Sequence, residues 1–108
     1  MSEARINFDE LADQFAILPG GSRGQMFGMP VAKVNGKAFM GFFQEEIVLN
    51  LDNLPRSEAL ALPGARLFDP MGSDRTMKEW VQIPFGHVEV WGKFANQARL
   101  YLLHLTEK

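Results

Sequence analysis

The chain has 108 residues, 46% of them hydrophobic and 22% charged, with a formal charge of −2 and no cysteine. That length supports one core burying roughly 65% of the unfolded surface, and the composition is that of a globular domain rather than a disordered segment. Disulfides, thiolate nucleophiles and cysteine-ligated metals are excluded, an acidic balance gives no general attraction for phosphate backbones, and no apolar run approaches the ~18 residues of a membrane span.

The expectation is therefore a single domain over 1–108, cytoplasmic, with no cofactor, no direct nucleic-acid contact and no membrane segment. The first helix is signalled by Asn7 followed three residues later by Glu10, with Ile6 and Leu11 placed as a hydrophobic staple; Ser2 is an earlier possible start. Phe8, Leu11, Ala12, Phe15 and Leu18 form one apolar stripe at helical spacing, and Pro19-Gly20-Gly21 stops it. Residues 25–34 read as one strand, with Pro30 marking an edge or a bulge. Asn35-Gly36 is the strongest short hairpin signal in the chain, because both residues accept positive φ. Strands over 38–43 and 47–51 follow, separated by the polar Gln44-Glu45-Glu46.

Asp52-Asn53 caps a short second helix, with Pro55 in its first turn, that runs to about Leu62 before Pro63-Gly64. A brief strand over 66–68 precedes turn chemistry over 69–74, and a clearer strand spans 76–83. After Pro84 a terminal helix is expected over 86–105, with Trp91, Phe94, Ala95, Ala98, Leu102 and Leu105 on one face. The order is α-β-β-β-α-β-β-α. It predicts an α+β two-layer sandwich in which an antiparallel five-stranded sheet carries its helices on one face.

Catalytic chemistry has little support in the pattern. His87 and His104 are seventeen residues apart on one expected helix and cannot share a metal's ligand shell. Gly20-Gly21-Ser22-Arg23-Gly24 has the letters of G-x-S-x-G, but it follows a helix and precedes a strand, the reverse of the strand-to-helix turn of a nucleophile elbow, and no H-E-x-x-H occurs. Gly20 to Gly24 follows a helix and precedes a strand, the reverse of the order a phosphate cradle needs. Asp69, Lys78 and Glu79 are the polar groups that would line a ligand or enzymatic pocket at the sheet–helix margin if they converged.

The strands carry a stronger signal. Phe27, Met29 and Val31, and Phe39, Met40, Phe42 and Phe43, put large apolar groups on both parities. In the last strand Met77, Val81 and Ile83 alternate with Trp80, which points to the other face. A sheet covered on one side should alternate apolar and polar residues. The excess implies that the second face is also buried, by a loop of the chain or by a partner.

Met26-Phe27-Gly28-Met29-Pro30, Val34-Asn35-Gly36-Lys37-Ala38-Phe39, Phe68-Asp69-Pro70-Met71-Gly72 and Met77-Lys78-Glu79-Trp80-Val81 occur in that order. Together they resemble the landmarks of the TfoX N-terminal domain family. The resemblance implies a secretion-chaperone-like α-β(3)-α-β(2)-α fold and supplies no catalytic residues. With the chain ending at Lys108, it implies a stand-alone module without the second, C-terminal domain of the competence regulators. The expected function is a non-enzymatic interaction or regulatory module that meets a protein partner, or a second copy as a homodimer, through an open sheet face. Phe27, Met29, Phe43 and Trp80 are its expected contacts.

Overall fold

Ser2 opens the first helix: its hydroxyl accepts the Arg5 backbone N–H at 3.1 Å, and α1 runs Glu3–Ala16. The earlier of the two starts is therefore the one used. Asn7 lies inside the helix with its amide donating to the Glu3 carbonyl, and Ile6 is exposed, so no staple forms at that position. Ala4, Phe8, Ala12 and Phe15 make the buried stripe. The computed structural model describes residues 2–69 and 77–107.

Three two-residue turns then fold four strands into a meander: β1 Gly21–Met26, β2 Met29–Val34, β3 Lys37–Phe43 and β4 Glu46–Asn50. The turns are Phe27-Gly28 (φ 54° and 75°), Asn35-Gly36 (52° and 81°) and Gln44-Glu45 (50° and 65°). Successive residues in the left-handed region give the type I′ twist that suits adjacent antiparallel strands. The stretch 25–34 expected as one strand is thus the tip of a hairpin, with Gln25 opposite Pro30 and Met26 opposite Met29. Phe27 hides the turn from sequence, since Phe is not a residue that signals φ > 0.

Asp52 caps α2 (Asn53–Leu60), which ends two residues before the expected Leu62. The short β5 (Arg66–Phe68) pairs with β6 (Met77–Ile83). The expected turn after Asp69, including Gly72, and the Thr76 start of the last strand lie outside the described residues. The terminal helix is two pieces rather than one. A 3-10 segment, Phe85–Val90, is interrupted by non-helical dihedrals at His87, and α3 runs Trp91–Thr106. Trp91 locks the junction by donating its indole N–H to the Pro84 carbonyl at 3.2 Å.

Among the described residues six strands, one more than expected, form a single antiparallel sheet in the order β1-β2-β3-β4-β6-β5. The helices pack on one face, where Phe8, Phe15, Val34, Phe39, Met40, Ile47, Leu49, Val81, Ile83, Trp91 and Phe94 belong to the main core. An irregularity between Ala32 and Lys33 pairs Lys33 with Ala38 and leaves Phe39 as an extra residue in β3. The bulge lets Phe39 and Met40 enter the same core although they are sequence neighbours. Much of the apolar excess in β3 is therefore directed to the helix side by this one inserted residue. No helix among the described residues is long and apolar enough to cross a membrane.

Candidate functional site

The face of the sheet away from the helices has a smaller core of its own: Met29, Val31, Val48, Phe68 and Trp80, flanked by Met26, Ala38 and Phe43. Register dictates this set. Val31 lies opposite Gly41, Gly41 opposite Val48, and Asn50 opposite Trp80, so these residues share one face across four strands. Phe43 reaches over the sheet to meet Phe68 edge to face, with ring centroids 5.2 Å apart.

Trp80 is 6% exposed and Met29 3%, while Phe43 is half-buried. The expected bare face with Trp80 standing on it is not what the isolated chain presents; those rings already have neighbours within the chain. Phe27 is the exception. At the β1–β2 turn it is 59% exposed and holds a left-handed φ. Of the four expected contact residues, Phe27 alone combines free apolar surface with backbone strain, of order 1–2 kcal/mol for an L-residue with a β-carbon.

Asp69, Lys78 and Glu79 do not form one site. Lys78 and Glu79 are both exposed and, as neighbours in β6, leave the sheet on opposite sides. Asp69 follows β5 half-buried, with one carboxylate oxygen covered and unpaired among the described residues. Glu79 belongs instead to a polar margin where β6 meets α2 and α3. Its carbonyl accepts the Leu51 N–H at 2.9 Å, and Arg56 donates to the Leu51 carbonyl and to Asn53 Oδ1. Tyr101 on α3 faces the same group. Its hydroxyl pKa is pushed up by burial first and then by the charges of Glu79 and Asp52, with Arg56 opposing. Glu79 stands at the sheet–helix margin, as its place in the last strand suggests, whereas Tyr101, Arg56 and Asn53 come from other elements and share no spacing with it that a sequence would reveal.

Two polar networks fix the sheet's edges. Arg23 on β1 donates to Asp13 Oδ1 at 2.9 Å and Asp9 Oδ1 at 3.0 Å on α1, and Arg5 donates to the other Asp9 oxygen at 3.0 Å. The Arg23 guanidinium also lies 5.7 Å from the centre of the Phe8 ring. Burial lowers the Arg23 pKa, but the bonds and charges of Asp13 and Asp9 outweigh it and the net direction is upward. On the second face, Glu46 Oε1 accepts from both Gln82 Nε2 and Arg66 Nη2 at 2.8 Å, joining β4, β6 and β5.

The histidines lie on two elements rather than on the one helix expected, His87 in the 3-10 segment and His104 in α3. His87 is bonded through Nε2 to the Pro63 carbonyl at 2.7 Å, and His104 is exposed near the end of α3. Among the described residues no three His, Asp or Glu side chains gather in a group that could hold a metal ion. Arranged this way, the molecule offers an exposed aromatic at a strained hairpin tip, beside an edge strand pinned to α1. No family model, curated protein or solved structure matches the chain.

Proposed function

We propose that this chain is a non-enzymatic protein-interaction module of the TfoX N-terminal type, with the Phe27-Gly28 tip as its principal contact. The observation that carries the reading is Phe27 itself. A large apolar ring is left mostly in water on a backbone conformation that Asn, Asp or Gly would adopt with less strain. Folding alone gives no reason to keep Phe there, and exposed aromatics are enriched where proteins bind one another. Met29, Phe43 and Trp80 have a supporting part: they form the packed bed beneath the hairpin and hold its tip in place. The ordered landmarks around 26–30, 34–39, 68–72 and 77–81 support the family assignment.

A pocket built on Asp69, Lys78 and Glu79 is disfavoured by the opposite directions of the two β6 side chains.

The test places a photo-crosslinking amino acid at position 27 in one sample and at the exposed position 105 in another, each in the protein's own cells. A discrete crosslinked species is expected at 27 and not at 105. Excess untagged wild-type chain should compete it away, and the Phe27→Asn chain should not. Equal products at the two positions, or competition by both chains alike, would refute the reading; a crosslinked mass of two chains would identify the partner as a second copy.

A further inference from the structure

We infer that the outer edge of β1 is a strand-addition site for an extended acidic segment of a partner protein, with a carboxylate opposite Gly24 and an apolar side chain opposite Met26. The inference rests on the interaction reading above and specifies the partner's chemistry.

β1 lies at one end of the sheet and pairs only with β2 among the described residues. Met26 and Met29 flank a two-residue turn and so form a bonded pair. Antiparallel alternation then makes Gly24–Val31 and Ser22–Lys33 the next bonded pairs. The Asn35 N–H donating to the Gly20 carbonyl at 2.9 Å continues the same parity. Gly21, Arg23 and Gln25 therefore turn their N–H and C=O groups outward. The Gly21 N–H is taken by the Leu18 carbonyl at 2.8 Å, whereas Arg23 and Gln25 have no backbone partner on that side among the described residues. The edge contains no proline, and the bonds from Arg23 to Asp9 and Asp13 hold it rigid. A strand already held in place loses little entropy when another pairs with it.

The charge of the occupant follows from Lys33. Its side chain crosses the outer face of Gly24 so closely that a β-carbon there would stand 2.9 Å from Lys33 Cε and 3.1 Å from Nζ. Lys33 has no ion-pair partner among the described residues, in contrast to the neutralised Arg23. An ammonium beside a bare edge repels cationic strands and attracts anionic ones. It also disfavours a second copy. The self-pairing that uses all four outward groups of Arg23 and Gln25 sets Gly24 against Gly24, and so brings two Lys33 ammoniums together. Met26 is on the same face as Gly24, two residues along and next to Phe27, which places the partner's apolar side chain there.

The probe is the peptide acetyl-Thr-Val-Thr-Glu-Thr-Ser-amide, added to nitrogen-15-labelled full chain, with its Glu→Lys analogue as control. The Arg23 and Gln25 amides are expected to shift and to slow their hydrogen exchange, with the Lys peptide bound at least about tenfold more weakly. Lys33→Glu should reverse that preference. Gln25→Pro removes an outward donor without touching the β2 ladder and should abolish binding in a chain that stays folded; if it unfolds, the Lys33→Glu reversal decides alone. Unmoved Arg23 and Gln25 amides, equal binding of the two peptides, or protection of those amides in a dimeric free protein would each overturn the inference. A Phe27 crosslink that survives such a failure confines it to the strand addition, whereas loss of the crosslink itself refutes the interaction reading.

Discussion

The thioether of Met29 lies across Gly41, so that a β-carbon added at Gly41 would stand 2.9 Å from Met29 Cε and 3.0 Å from Val48 Cγ2. Gly41 is therefore the floor of the second core, and Met29 is its infill. Met29 and Val48 are both buried, so neither has open space to retreat into. Gly41→Ala is expected to lower stability by about 1–2 kcal/mol through overpacking. Met29→Ala on its own should also destabilise, by opening a cavity. Combined, the two should cost less than the sum of the single changes, since each relieves the other. Urea unfolding of the four chains checks this; strict additivity would show that the two residues do not share the space.

Most of the architecture is legible in the sequence, and the places where it is not have local causes. Asn35-Gly36 forms the expected hairpin, because its chemistry and its geometry agree. Phe27-Gly28 forms the same kind of turn with a residue that carries no turn signal, which is why one expected strand is two. The bulge at Phe39 leaves no trace in composition, and without it the apolar parities of β3 read as two buried faces of equal weight. Alternation puts Trp80 on the side of the sheet away from the helices, where it lies, but cannot say whether that side is covered. The Tyr101 margin joins residues from α2, α3 and β6, and only the folded chain brings them together.

Phe27→Asn is expected to separate stability from binding. Asn accepts the left-handed φ of 54° and completes an Asn-Gly type I′ turn, while the exposed ring gives up little burial when it is removed. The variant should be as stable as wild type or more so, by up to about 1 kcal/mol, and should fail to compete away the crosslink formed from position 27. Thermal unfolding measures the first effect. A clear loss of stability would mean that the ring belongs to the fold.

Glu46→Ala is expected to cost about 1–3 kcal/mol, because it leaves the buried amide of Gln82, 4% exposed, without its acceptor. Glu46→Gln keeps an acceptor oxygen and should recover most of that loss. Arg66→Ala should cost less than about 1 kcal/mol, since the Arg66 side chain of this ion pair is largely in solvent. Denaturant midpoints for the three chains rank them. Equal losses for Glu46→Ala and Arg66→Ala would show that the ion pair, rather than the amide, sets the cost.

Tyr101 is the chain's single tyrosine, so the ultraviolet absorbance of tyrosinate follows it without interference. Burial and the charges of Glu79 and Asp52 raise its folded pKa above the unfolded value, against the pull of Arg56. In the window between the two values the unfolded state has released the proton that the folded state retains. Stability therefore falls as pH rises through that window, and the contribution is complete below the unfolded value, near 10. The native titration midpoint should lie above the midpoint in denaturant, and Glu79→Gln should move it down by removing a negative neighbour. Tyr101→Phe should flatten the alkaline decline in stability relative to wild type. Coincident native and denatured midpoints would show that Glu79 and the covering of α3 do not act on this hydroxyl.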